Sequence, residues 1–415
     1  MPERRNCGRN ARKFDRRAAV SPLDVFVAFL RLGLTSFGGP VAHLGYFHEE
    51  FVKRRRWIEE GAYGDLLALC QFLPGPASSQ LGLSIGLAKA GLLGALAAWL
   101  GFTTPSAIAL TLFAYGLNAT RADLSAGALH GLKIAAVAVV AQAVWSMAQR
   151  LCPDAKRATI AAIAAAVMLA WPAPLGQLTL IGVGALIGLV ILRAEARTEA
   201  SSLNVTVSPA LAILALLAFA ALAVGLPYIA SSSQSHTVAL IDRFYRAGAL
   251  VFGGGHVVLP LLQAAVVPPG WISNDAFLAG YGAAQAVPGP LFTFAAYLGA
   301  AMGPAPNGWL GALICLFAIF APSFLLVIGF LPFWDRLRTV KFIQNALMGI
   351  NATVVGLLLA ALYSPVWTSA ILTPLDFALA LISLLLLAVW RTPPWVVVVL
   401  AAVGGWGETY LHLVL

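Results

Sequence analysis

Two tripeptides, Pro74-Gly75-Pro76 and Pro288-Gly289-Pro290, interrupt long apolar runs, each three residues after a glutamine, Gln71 and Gln285. Proline lacks a backbone N–H and clashes with the preceding turn, so neither run can continue as one helix. Two more breaks, Phe37-Gly38-Gly39-Pro40 and Phe252-Gly253-Gly254-Gly255, interrupt apolar runs in the same way. A half-helix that starts at such a break presents unpaired N–H groups and a positive dipole end. The chemistry this pattern suits is the holding of an anion. Ala77-Ser78-Ser79-Gln80 follows the first P-G-P, whereas Leu291-Phe292-Thr293 follows the second and leaves one hydroxyl. The expected site is therefore asymmetric, with the first half richer in polar contacts.

Charges near these breaks have two readings each. Arg31 and Arg246 lie six residues before the Phe of each F-G-G, and Lys133 lies within an apolar run. Charge at membrane depth is costly unless paired or functional; each group is a compensating charge for an anion or an interfacial anchor that snorkels to water. Gln71 and Gln285 are ligands or caps for broken backbone. His256 directly follows the triple glycine and is a proton carrier or a structural histidine. Glu49, Glu50, Glu59, Glu60 and Asp65 surround the basic run 53–56 and are read as its neutralising partners. Four scattered cysteines and six histidines have no metal-ligand spacing, and no phosphate-binding G-x-x-x-x-G-K-[ST] loop is present. No metal and no cofactor are expected.

The elements that must position these residues follow from composition. Of 415 residues, 60% are apolar and only 10% charged, which excludes a soluble enzyme, a disordered scaffold and a secreted disulfide domain. Thirteen apolar segments recur along the chain, most with about the 20 residues needed to cross a bilayer. The net charge of +9 is read as the positive-inside bias, not as a nucleic-acid surface. Residues 1–21 form a basic cytoplasmic tail without the apolar core of a signal peptide.

Self-similarity organises the segments. F-L-R-L-G-L-T-S-F-G-G at 29–39 recurs as F-Y-R-A-G-A-L-V-F-G-G at 244–254, and Trp57-Ile58 recurs as Trp271-Ile272. Q-F-L-P-G-P at 71–76 recurs as Q-A-V-P-G-P at 285–290, and G-L-L-G-A-L with Pro105-Ser106 recurs as G-W-L-G-A-L with Pro322-Ser323. Seven segments precede the second copy, so it enters the membrane upside down. That is the arrangement of many secondary transporters, whose sites lie near the midplane where two inverted repeats meet. Taking the segments near 23–47, 64–88, 244–267 and 276–300 as re-entrant leaves nine full spans. The basic residues of 53–56 and Lys89, Arg150, Lys156, Arg157, Arg193, Arg197, Arg336, Arg338, Lys341 and Arg391 then all face the cytoplasm; Arg121, Arg243 and Arg246 do not. Thirteen full spans is the alternative. Both place the N-terminus inside and the C-terminus outside.

The expected fold is thus an all-α polytopic membrane protein: a first repeat at 22–200, a linking helix and loop at 201–243, and a second repeat at 244–415. F-G-G-P-x-A-H at 37–43, F-G-G-G-H at 252–256, the two W-I pairs and the two Q-x-x-P-G-P elements resemble the chromate ion transporter family in its long, two-domain form. The resemblance spans roughly 22–415. It implies an inner-membrane protein that exports chromate and confers chromate resistance, with function associated with Phe37, Gly38, Gly39, Pro40, Pro74, Gly75 and Pro76. From the residues, the binding set adds Arg31, Gln71, Ser78, Ser79, Lys133, Arg246, Gly253, Gly254, His256, Gln285, Pro288, Gly289, Pro290 and Thr293. Sulfate shares the shape and charge of chromate, so a sulfate carrier or an anion channel of the same architecture stays open. So does homodimer formation. A membrane-embedded enzyme would need a catalytic acid, nucleophile or metal cluster at membrane depth, and none is found.

Overall fold

A computed structural model describes residues 20–119, 124–171, 176–193, 207–337 and 340–414. The basic tail up to Ala19, Arg121, Arg197 and Arg338 lie outside the described residues. Every described element is helical: α1 Pro22–Thr35, α2 Gly39–His48, α3 Glu60–Phe72, α4 Ala77–Ala119, α5 Leu124–Leu151, α6 Ala155–Ala170, α7 Gly176–Ile191, α8 Pro209–Ser232, α9 His236–Ala249, α10 Val258–Val266, α11 Asn274–Ala286, α12 Phe294–Ala301, α13 Gly308–Phe330, α14 Trp334–Leu337, α15 Lys341–Ala361, α16 Thr368–Ala370, α17 Pro374–Ala388 and α18 Pro394–Val414.

The four motif segments are broken where glycine and proline stand. Chain ends of the half-helices fall at Thr35, Phe72, Ala249 and Ala286, and none of α1, α2, α3, α9, α10, α11 or α12 exceeds 14 residues. Segments 64–88 and 91–117 were expected as separate, and α4 is indeed two helices joined at a sharp turn: Ala90 and Gly91 both leave helical angles, Gly91 with a φ of 64°. Glycine takes that left-handed angle without strain, and the chain folds back on itself there, which brings Gly86 and Gly94 together. Among the described residues five helices are long and apolar enough to cross a membrane: Ala77–Leu117, Gly127–Leu151, Pro209–Ser232, Gly308–Phe333 and Lys341–Ala370. Helix α8 joins the halves and buries only Ala212 and Ala215.

The basic run expected to need neutralising is held in a π-helical turn, Glu49–Arg54. Glu50 pairs with Arg54 and, at 2.6 Å, with Arg55; Glu49 pairs with Lys53 at 3.1 Å and Glu60 with His48 at 2.8 Å. The Arg55 guanidinium also lies over the Trp57 ring.

Packing is done by small residues, as it must be where lipid removes the hydrophobic drive for helices to associate. The same close approaches recur in both halves. Gly33 of α1 lies against the Phe102 carbonyl of α4, and Gly248 of α9 against the Ile319 carbonyl of α13. Gly86 meets Gly94 within α4, and Gly299 of α12 meets Gly311 of α13. The third pair crosses between halves: Gly188 of α7 abuts the Asn345 carbonyl of α15, and Gly405 of α18 abuts the Gly127 carbonyl of α5. Each half thus lends its last hairpin to the other half's long helix.

A Cβ on Gly188 would lie 2.4 Å from the Asn345 oxygen, while Gly182 on the same helix has open space. Gly188→Leu is expected to cost roughly 1–3 kcal/mol or more by overpacking. Fluorescence-detected size-exclusion chromatography should show loss of the monodisperse peak for Gly188→Leu but not for Gly182→Leu.

Candidate functional site

The two P-G-P turns each dock on the opposite half. Gly75 has a φ of +126° and Gly289 one of +107°, a left-handed region that residues with a Cβ avoid. The Gly75 N–H donates to the Val251 carbonyl at 2.6 Å, and the Gly289 N–H donates to the Ser36 carbonyl at 3.1 Å. Ser36 and Val251 are equivalent: each directly precedes the Phe of its own F-G-G. The backs of the glycines are equally symmetric, since a Cβ on Gly75 would come 2.8 Å from Ser323 Oγ and one on Gly289 would come 2.8 Å from Ser106 Oγ. Pro-Ser, F-G-G and P-G-P therefore meet in exchanged sets, two elements from one half with one from the other.

Around the first P-G-P the polar residues are organised. Gln80 Nε2 donates back to the Pro74 carbonyl at 2.7 Å. His43, fully buried, has Nε2 3.2 Å from the Ser36 carbonyl and Nδ1 3.5 Å from Ser78 Oγ. A carbonyl only accepts, so Nε2 must carry the proton, leaving Nδ1 of the neutral ring to accept from Ser78. The Ser36 carbonyl thus receives both Gly289 N–H and His43, which ties the second P-G-P to the start of α4. The ring of His43 rests edge-on to Phe102. Around the second P-G-P the single hydroxyl, Thr293, donates to the Pro290 carbonyl at 2.7 Å. His256 Nδ1 is 2.9 Å from the Tyr281 hydroxyl. The glycine breaks face each other, with His256 Nε2 3.9 Å from where a Cβ of Gly39 would stand. Gly253 and Gly254 lie against Met147 of α5, and the Phe37 ring lies 6.0 Å from that of Trp395 on α18. Pro40 is the second residue of α2.

Several buried polar atoms here have no hydrogen-bond partner: Ser36 Oγ, Ser79 Oγ, Gln80 Oε1, Thr103 Oγ1, Ser323 Oγ and Gln285 Nε2. All lie on the breaks or the helix turns beside them. An unpartnered buried polar group costs about 1–3 kcal/mol, so six of them gathered around four breaks form a region suited to a polar solute. The serines and threonine offer donors, and the first turn of α4 adds its backbone N–H groups.

The expected charges do not converge there. Arg31 is exposed on α1, with no side-chain partner among the described residues, about 9 Å of helix rise before the break. Arg246 pairs with buried Asp242, one turn earlier on α9. Lys133 pairs at 3.0 Å with Asp275 at the start of α11. Two of the three cations thus carry their own carboxylate, the usual resolution of charge in a low-dielectric setting. Gln71 is exposed, whereas its counterpart Gln285 is half-buried. The polar core rests on backbone dipoles and neutral side chains. His43, Ser36, Gln80, Thr103, Ser106 and Ser323 were missing from the set read off the sequence, although His43 ends the F-G-G-P-x-A-H motif and Ser106 and Ser323 belong to the repeated Pro-Ser.

The model of the chromate transporter family matches this chain twice, over residues 23–189 and 238–406. A chromate transport protein of Pseudomonas aeruginosa is 29% identical over 398 residues, 92% of this chain and 91% of the relative. One of Cupriavidus metallidurans is 26% identical over 397 residues, 92% of each. An uncharacterised transporter of Methanocaldococcus jannaschii is 25% identical over 351 residues, 84% of this chain and 85% of the relative. No solved structure matches. With both halves matched by one model and each half carrying the same broken-helix motifs, this multi-pass membrane chain belongs to the chromate transporter family.

Proposed function

We propose that the protein exports chromate from the cytoplasm across the inner membrane and so confers chromate resistance. The observation that carries this is the exchanged docking of the P-G-P turns, which gathers half-helix starts and unpartnered hydroxyls from both halves into one buried region. A tetrahedral dianion accepts hydrogen bonds in every direction, and such donors suit it without a fixed countercharge. The two matched halves are proposed to lie in opposite orientations, with the four broken segments as re-entrant hairpins, the N-terminus inside and the C-terminus in the periplasm. Alternating access then follows from rocking one half against the other about the exchanged contacts. Export needs no nucleotide: moving two negative charges out of a cell at 100 mV inside-negative releases about 4.6 kcal/mol.

Sulfate has the same shape and charge, so a sulfate carrier is the competing assignment. Everted vesicles should accumulate labelled chromate, and a tenfold excess of sulfate over chromate should leave that uptake largely intact. Full suppression by sulfate would make sulfate the substrate.

Two substitutions test the site in the same assay. Gly75→Ala forces a Cβ against Gln80 and Ser323 at a left-handed backbone position, and uptake should fall by about tenfold or more with the protein still in the membrane. Ser79→Ala removes one donor, which for a charged acceptor is worth about 1.5–3 kcal/mol; the chromate KM should rise by about tenfold while the unliganded melting temperature stays level. Unchanged transport in both would remove the assignment.

A further inference from the structure

On the outer wall, away from the polar core, a groove of about 430 Å³ runs between α6, α7 and α15. Its walls are Ile160, Ile163, Leu180, Val183, Ile187 and Ile191, and one end is formed by Lys156 and Thr159. Ile163, Val183 and Ile191 are 58%, 44% and 47% exposed, so the trough opens to the lipid. The Thr159 hydroxyl donates to the Ala155 carbonyl and the Thr353 hydroxyl to the Gly349 carbonyl, which leaves the walls apolar.

Lys156 is the charged residue that lines the groove. Ile160, Leu192 and Ala352 pack together there with Cys152 and Met348 at their edge, so the start of α6 and the end of α7 lie against the third and fourth turns of α15. Arg193 follows Leu192, while Lys341 opens α15 two turns before Met348. Lys156, Arg193 and Lys341 make no ion pair among the described residues. Asp154 is already committed to Arg157, accepting from its backbone N–H at 3.0 Å and its side chain at 2.6 Å. That leaves an apolar slot with Lys156 at one end, making no ion pair among the described residues.

We propose that this groove is a binding site for one anionic phospholipid, an acyl chain lying between α6 and α7 and the phosphate held by Lys156. Apolar length and a cation at headgroup level are the two features by which such a lipid is recognised.

The full chain in detergent, titrated with phosphatidylglycerol or with phosphatidylcholine of matched chains, tests this by thermal melting and by native mass spectrometry. Phosphatidylglycerol should raise the melting temperature by several degrees and give a one-lipid adduct, while phosphatidylcholine and inorganic phosphate should not. Lys156→Gln should remove most of the shift and Lys156→Arg should restore it. Ile163→Trp, which fills the exposed trough, should abolish the adduct, with the lipid-free melting temperature of each variant measured as the reference. Equal shifts with both lipids, or an undiminished phosphatidylglycerol shift in Lys156→Gln, would overturn the proposal. Because lipid binding is read without transport, the outcome is independent of which oxyanion the protein carries.

Discussion

Broken backbone inside a bilayer must find hydrogen-bond partners within the protein, and this constraint organises the whole molecule. A P-G-P turn frees groups that its own helix cannot satisfy. Here the Gly75 N–H is received by Val251 and the Gly289 N–H by Ser36, so each half completes the other. The positive φ at both glycines and the serines behind them make the docking specific to a residue without a side chain. Small-residue crossings repeat the exchange further out, through Gly188 with Asn345 and Gly405 with Gly127.

Much of this was legible in the residues. The duplicated motifs, the positions of the four breaks and the polar turn after Pro76 are local signals, because proline and glycine act on the backbone where they stand. Family membership followed from the same motifs. What stayed hidden was long-range. Nothing within either copy says that Gly75 meets the second F-G-G and not its own, since repeats that pack internally or crosswise have the same sequence. Lys133 and Asp275 lie 142 positions apart, so that pairing was invisible. Arg246 with Asp242 was open to reading, because a spacing of four on one helix puts both on one face.

The departure from symmetry is as informative as the symmetry. His43 links the Ser36 carbonyl to Ser78 in the first half, whereas Thr293 in the second half caps its own turn. The first half thus carries adjustable side-chain contacts and the second a more self-contained turn. Both partners of His43 belong to its own half, so a motion between the halves would leave that link in place and bear on the Gly75–Val251 and Gly289–Ser36 bonds that cross between them.

Because the two N–H donors are received across the interface, neither half is self-sufficient. A gene encoding only one such half would yield a chain with a dangling donor and a dangling acceptor in hydrocarbon. It could persist only by pairing with a complementary molecule, which makes fusion into one polypeptide a way of guaranteeing stoichiometry, not of creating the fold.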